Sequence, residues 1–200
     1  MTLVFTKPDA WTGGFYELAL ELGERSDSRL FAAISTIWKH PSLDGCYLDW
    51  MKEPYEQLRL APSEELLESG DHLRGLAHLP NGIQIPCGTV PIREASGTDW
   101  LIFYLPIGGL GQAYDVGGYP FDTDIKSPES WQKPIDDYLA QIGMQVFTVV
   151  PFRLGLIGHE VSGNHYADEI AKEGIPDTRY IGYLWPSGGE LNYFPRNKVY

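Results

Sequence analysis

Residues 15–22 have the sequence FYELALEL, and this stretch predicts the strand around which the fold is built. Apolar side chains alternate along it with a period of two, as in a β-strand that buries one face. The residues of the predicted buried face are Tyr16, Leu18, Leu20 and Leu22. Glu17 and Glu21 lie on the other face, four residues apart in the sequence. Two carboxylates can act together on one glycosidic bond, but a solvated strand face is the simpler interpretation.

An amphipathic helix and a second strand follow this first strand. Apolar side chains then recur at i, i+3, i+4, i+7 and i+8, which is the spacing of one helix face. They are Leu30, Ala33, Ile34, Ile37 and Trp38. Asp27 has the side chain of a helix N-cap, and the pair His40-Pro41 predicts the end of the helix. Residues 45–51, GCYLDWM, predict the next strand.

The rest of the chain adds further strands and helices. Residues 100–107, WLIFYLPI, are continuously apolar and predict a central strand that is covered on both faces. The other predicted strands are 73–79, 83–90, 145–150, 152–161, 180–185 and 191–194, with turns at 80–82 and 187–189. The predicted helices are a long one at 128–142 and short ones at 63–69 and 164–172.

These elements predict one α+β domain over residues 1–200. We expect a mixed or antiparallel sheet with two main amphipathic helices and one or two short ones. The order strand, helix, strand occurs at residues 15–51 and again at 100–161, which suggests an internal duplication. No low-complexity run or Pro/Ser linker marks a domain boundary.

The chain is acidic, with 15 Lys and Arg against 27 Asp and Glu and a formal net charge of −12. Nucleic acid and anionic lipid both require a basic face, so this balance argues against either as a partner. Six Trp, twelve Tyr and eight Phe argue against a disordered chain. The N-terminal residues lack the apolar run of a secretory signal, so we expect a cytoplasmic protein.

The cysteine pattern gives no sign of a metal centre. Cys46 and Cys87 belong to no CxxC pair, and neither has a histidine at zinc-finger spacing. We therefore expect two reduced thiols that are partly buried, and neither a metal nor a cofactor.

The densest group of reactive side chains lies in residues 158–169, GHEVSGNHYADE. Histidine titrates near neutral pH and carboxylates can orient it, so acid–base catalysis or metal binding is a possible role. The candidate catalytic residues are His159, Glu160, His165 and Asp168. The spacing of the two histidines is not that of HExxH, but a strand end followed by a helix start could still bring them together. The alternative is an exposed helix start with ordinary ion pairs.

A Gly-rich segment covers residues 108–124. It contains no Lys or Arg and several aspartates, which argues against a phosphate site. Tyrosines and aspartates between glycines are typical of a recognition surface. The candidate partner-binding residues are Tyr114, Asp115, Tyr119, Asp122 and Asp124. In the alternative interpretation, the aromatic side chains pack under the loop and hold it to the sheet.

The sequence thus predicts an acidic protein-interaction module of the kind found among immunity and inhibitor proteins. Its partner is expected to be a protein, and a basic one if complementary charge drives the encounter. The alternative is a hydrolase-type enzyme in which His159, Glu160 and His165 act, with or without a metal, under the 108–124 loop. Geometry separates the two, because an enzyme requires both histidines to converge in one pocket.

Overall fold

The computed structural model of the chain describes residues 3–63, 72–117 and 129–198. Eight strands lie in these ranges: β1 (Phe15–Glu24), β2 (Leu43–Tyr47), β3 (Leu73–His78), β4 (Gln84–Arg93), β5 (Thr98–Pro106), β6 (Leu154–His159), β7 (Gly182–Ser187) and β8 (Glu190–Phe194). The α-helices of the same ranges are α1 (Asp27–Ile37), α2 (Ile107–Leu110), α3 (Glu129–Val149) and α4 (Ala167–Glu173). A short 3₁₀ helix spans Pro54–Glu56.

All eight strands form one antiparallel sheet in the order β2-β3-β4-β5-β1-β6-β7-β8. Helices α1 and α3 pack against each other and against one face, which we call the helical face. The opposite face is covered by α4 and by the N-terminal segment, residues 3–12. The predicted α+β class with two main helices and short additional ones is confirmed. The central position of β5 in the sheet is also as predicted.

Strand β1 is buried on both faces, so the prediction of a solvated face is wrong. Tyr16, Leu18, Leu20 and Leu22 lie in the core under α1 and α3. On the opposite face, Glu17 and Glu21 are also buried. The cover comes from the residues that follow β6, which fold back over the sheet and donate backbone hydrogen bonds to both carboxylates. Because these contacts join residues 145 or more positions apart, the sequence pattern of β1 alone does not predict them.

Helix α3 continues through the region where residues 145–150 were predicted to form a strand, and that prediction is wrong. The apolar stripe of the helix extends instead to Ile142 and Val146, both buried. Gly143 lies where the helix crosses β7, and a Cβ there would be 2.4 Å from Leu184 Cδ1. The absence of a side chain at Gly143 thus lets a long helix lie close to the sheet.

Several element boundaries differ from prediction by a few residues. The N-cap of α1 is Ser26, whose side chain accepts from Arg29 N, and not Asp27. Strand β2 ends at Tyr47, so the last four residues of the predicted 45–51 strand belong to a loop. The helix predicted at 63–69 falls almost entirely outside the described residues.

The two units of the suggested duplication occupy different positions in the sheet. Strands β1 and β2 are separated by three other strands, whereas β5 and β6 are separated by β1 alone. The strand order therefore gives no support to a duplication.

Candidate functional site

The two histidines of the 158–169 group lie on opposite faces of the sheet. His159 ends β6 opposite Tyr16, whose side chain belongs to the helical face. The ring of His165 packs against Tyr183 at 5.7 Å between centroids, and Tyr183 belongs to the core of the opposite face. Directly opposed residues of an antiparallel pair point to the same face. The structure therefore does not bring the two rings together.

Glu160 and Asp168 take part in separate local contacts. Glu160 N donates to Phe15 O at 2.9 Å, and its exposed carboxylate lies beside Gly14. Asp168 forms an ion pair with Arg153, whose Nη1 also lies 2.9 Å from Glu21 Oε1. Within the described ranges, no group of three or more His, Cys, Asp or Glu side chains is placed to hold a metal ion.

Part of the predicted partner-binding set lies in the described residues. Tyr114 is half-buried and packs against the core, and this burial raises the pKa of its hydroxyl. Asp115 is exposed. Tyr119, Asp122 and Asp124 lie outside the described residues. The packing of Tyr114 agrees with the alternative in which aromatic side chains hold the segment to the fold.

The two glutamates of β1 act as fixed acceptors for the covering segment. Glu17 Oε1 accepts from Ser162 N at 2.7 Å, and Glu21 Oε2 accepts from Ala167 N, the first residue of α4, also at 2.7 Å. Burial raises the pKa of both carboxyls, although these hydrogen bonds oppose the effect. Because both carboxylates are buried and bonded to the backbone, they serve the fold rather than a substrate.

The surface feature that the sequence reasoning missed is the loop of residues 48–58, which follows β2. It carries five large apolar side chains that are exposed. They are Leu48, Trp50, Met51, Tyr55 and Leu58, with exposed fractions from 37% for Leu48 to 85% for Leu58. Contiguous exposed apolar side chains mark interaction sites in folded proteins. No sequence signal marked the loop, because residues 45–51 have the pattern of a strand.

Hydrogen bonds within the loop fix its shape. Gln57 Nε2 donates to Asp49 O at 2.7 Å and to Lys52 O at 2.8 Å. Its Oε1 accepts from Asp49 N at 3.1 Å. The carboxylate of Asp49 also accepts from Met51 N and pairs with Lys52 Nζ at 2.9 Å. The exposed apolar side chains are therefore presented by an ordered backbone.

Glu53 joins this loop to the N-terminal segment. Its carboxylate accepts hydrogen bonds from the backbone N–H groups of Val4, Phe5 and Thr6 and from the Thr6 hydroxyl, at 2.6–3.2 Å. Burial alone would raise the pKa of Glu53, but these bonds outweigh burial and hold the pKa below its ordinary value. The buried carboxylate thus stays ionised at neutral pH and holds residues 4–6 against the loop.

Two clefts flank the loop. One, of about 260 Å³, lies between Trp50 and Met51 on one side and Trp11 on the other. The second, of about 320 Å³, is lined by Tyr55 and Glu53 and reaches Leu76 on the sheet. Exposed aromatic side chains beside small clefts can both insert into a partner and receive its side chains.

Comparison with known proteins does not assign the chain to a family. No family model, no curated protein and no solved structure matches it. None of the helices in the described ranges combines the length and the apolar character needed to cross a bilayer.

Proposed function

We propose that this chain is an acidic protein-interaction module, of the immunity or inhibitor type, that works in the cytoplasm and binds its partner through the 48–58 loop. The observation that carries the proposal is the group of five exposed apolar side chains on a hydrogen-bonded loop. Preorganisation of such a loop reduces the entropy that is lost on binding. Aromatic residues such as Trp50 and Tyr55 are the common energetic centres of protein interfaces.

The partner that this surface suits is a protein with an apolar patch surrounded by basic side chains. The apolar patch would contact Trp50, Met51 and Tyr55. The basic surroundings are supported by the net charge of −12, which accelerates encounter with a cationic protein. Ion pairs already neutralise charge close to the loop, between Asp49 and Lys52 and between Asp44 and Arg59. Long-range attraction and the apolar contact would therefore act at different stages of binding.

A second group of residues remains a proposal for partner binding, in addition to the 48–58 loop. These residues are Tyr114, Asp115, Tyr119, Asp122 and Asp124. For the hydrolase alternative, the positions of His159 and His165 supply no supporting observation. We therefore propose no catalytic activity.

Site-specific photo-crosslinking tests the proposal directly. A benzophenone side chain would replace Met51, which is 69% exposed, or Tyr180, which is 43% exposed and lies far from the loop in sequence. We expect irradiation in cell extract to yield one dominant adduct from position 51 and none from position 180. Trp50→Ala in the same chain should abolish the adduct.

Two results would contradict the proposal. The first is an adduct that forms equally from both positions, because this would show non-specific contact. The second is an adduct that survives both Trp50→Ala and Tyr55→Ala, because the loop would then make no energetic contribution. An adduct that disappears in high salt would further support a basic partner.

A further inference from the structure

A cleft of about 700 Å³ lies between α1, the end of α3 and residues 59–62. Residues 59–62 run beside the edge strand β2, because Leu60 and Cys46 exchange backbone hydrogen bonds at 2.8 and 3.4 Å. Sites for drug-sized molecules usually have about 300–1,000 Å³. The cleft is therefore large enough for a small ligand, and it shares no lining residue with the 48–58 loop.

Most of the cleft wall is apolar. Its inner end is formed by the buried residues Trp38 and Gly45, and a Cβ at Gly45 would be 2.3 Å from Trp38 Cζ3. The indole is held in place because its Nε1 donates to Thr89 Oγ1 at 3.0 Å. The other apolar lining residues are all at least partly exposed. They are Phe31, Ala32, Leu60, Ala61, Pro62 and Val149. Burial of this surface by a hydrocarbon would be favourable.

One stripe of α1 changes from apolar to cationic along the cleft. Phe31, Ser35 and Lys39 line the cleft at a spacing of four residues, which places them on one side of the helix and of the turn that follows it. Within the described ranges, neither the Ser35 hydroxyl nor the Lys39 ammonium group has a hydrogen-bond or ion-pair partner. Both donors are therefore available to a ligand.

The charged side chains of the cleft are both cationic, although the chain has a net charge of −12. Among the described residues that line it, only Lys39 and Arg59 are charged. Arg59 Nε donates to Gly45 O at 2.6 Å, which holds the guanidinium at the inner end of the cleft. Its Nη1 lies 3.0 Å from Asp44 Oδ1, so Asp44 neutralises this cation. The cleft is therefore left with one unpaired positive charge, that of Lys39.

We propose that this cleft binds an apolar monocarboxylate of the fatty-acid type. The hydrocarbon would lie against Phe31, Leu60 and Val149. The carboxylate would accept from Lys39 Nζ and from the Ser35 hydroxyl, and its single negative charge matches the single unpaired cation.

Other head groups fit the cleft less well. Helices α1 and α3 both end beside it, and the negative partial charge of helix C-termini disfavours a dianion such as a phosphate monoester. An apolar ammonium compound would be repelled by Lys39. The proposal concerns a different surface from the 48–58 loop, and its test requires no protein partner.

Titration of ¹⁵N-labelled protein with decanoate, below its critical micelle concentration, tests the proposal. The amide resonances of Ser35, Gly45 and Ala61 report on the cleft, and those of Trp50 and Met51 report on non-specific binding to the exposed apolar loop. We expect saturable shifts in the cleft and none in the loop. Each methylene added from hexanoate to decanoate should tighten binding roughly three- to fourfold. Decanol, which lacks the charge, should bind about three- to fivefold more weakly, and decyltrimethylammonium more weakly still.

Two pairs of variants locate the head group and the hydrocarbon. Lys39→Met should weaken decanoate binding about three- to fivefold and leave decanol binding unchanged, because it removes the charge of an exposed side chain. Lys172→Met, at an exposed position on α4, should change neither. Val149→Glu should weaken decanoate binding roughly tenfold or more, because it places a negative charge at the apolar wall. Thr148→Glu adds the same charge at the neighbouring exposed residue, which does not line the cleft, and should have little effect.

Three results would overturn the proposal. One is the absence of a saturable shift at Ser35, Gly45 and Ala61 up to the critical micelle concentration. The second is equal binding of decanoate and decyltrimethylammonium, because the cleft would then not select a negative charge. The third is an unchanged affinity for decanoate in both Lys39→Met and Val149→Glu, since the ligand would then bind outside the cleft.

Discussion

The carboxylate of Glu21 accepts a hydrogen bond at 2.7 Å from the backbone N–H of Ala167, which lies 146 residues later in the chain. Four residues earlier in the same strand, Glu17 accepts from Ser162 N in the same way. Together the two carboxylates hold the segment that leads into α4 against the sheet. They convert what would be a solvated strand face into a second buried layer.

The pKa of Glu17 gives the first prediction. Because burial raises this pKa, the folded state binds the proton more tightly than the unfolded state. The contribution of Glu17 to the free energy of unfolding is therefore largest below its unfolded pKa, and it falls as pH rises through the folded pKa. Glu17→Gln removes this dependence. The free energy of unfolding of the variant minus that of the wild type should therefore rise as the pH increases from 4 to 7, as measured by urea unfolding.

The control for this measurement is Glu173→Gln, at an exposed position at the end of α4. Its stability should run parallel to that of the wild type across the same pH range. If the free energies of unfolding of Glu17→Gln and the wild type differ by the same amount at every pH, the prediction is contradicted. Glu17 would then have the same pKa in the folded and unfolded states.

The contribution of Glu53 to the free energy of unfolding should have the opposite pH dependence. Its carboxylate accepts from the backbone of Val4, Phe5 and Thr6, and its pKa is lowered in the folded state. Its stabilising contribution is present above the unfolded pKa and is lost as pH falls through the folded pKa. Glu53→Gln should destabilise the protein by about 2–3 kcal/mol at pH 7, as expected for charge-assisted hydrogen bonds.

This destabilisation should become smaller as pH falls through the lowered pKa of Glu53, where the wild-type carboxyl takes up a proton. Proteolysis gives a local reading, because the variant should be cleaved within residues 3–12 before the rest of the chain. If the variant has wild-type resistance at pH 7, Glu53 does not hold the N-terminal segment.

Local patterns were sufficient for most of the fold. Helix α1 has its apolar residues at helical spacing, and the Asn81-Gly82 pair supplies the turn between β3 and β4. The continuous apolar run of β5 correctly predicted a strand covered on both faces. Each of these features depends on residues that are neighbours in sequence, which is why the sequence alone predicts them.

The errors occurred where distant residues decide the outcome. Glu17 and Glu21 have the pattern of a solvated face, and only the return of residues 162–167 buries them. The β-branched residues at 146, 148 and 149 favour a strand locally, but packing of α3 against the sheet overrides this preference. The candidate site was missed because the exposure of Trp50 and Met51 is a property of the folded surface and not of any short motif.

A substitution at Gln57 can change the shape of the 48–58 loop without removing any of its exposed apolar side chains. Its side chain makes three hydrogen bonds, all of them to the backbone of the loop. Gln57→Ala should accelerate hydrogen exchange of the loop amides and reduce the Met51 photo-adduct severalfold, because binding must then order the loop. Gln141→Ala, on the exposed surface of α3, should change neither. Fast exchange with an undiminished adduct would show that preorganisation is unimportant.

Asp136 and Arg196 join the C-terminal segment to the core. Arg196 Nε lies 2.6 Å from Asp136 Oδ2, and its Nη2 lies 3.1 Å from Asp136 Oδ1, while the Tyr16 hydroxyl donates to Oδ1 at 2.5 Å. Asp136 is buried, so removal of the guanidinium leaves an uncompensated charge in the core.

Arg196→Ala should therefore lower the free energy of unfolding by about 3–5 kcal/mol. In the double variant Arg196→Ala/Asp136→Asn no buried charge remains unpaired, so it should be more stable than Arg196→Ala alone. Arg179→Ala is the matched control, because its guanidinium donates to the backbone carbonyls of Pro176, Asp177 and Pro195 and pairs with no buried carboxylate among the described residues. Chemical denaturation of the wild type, Arg196→Ala, Asp136→Asn and the double variant measures the coupling between the two side chains. Additive effects would contradict an ion pair that matters for stability, because coupled partners do not contribute independently.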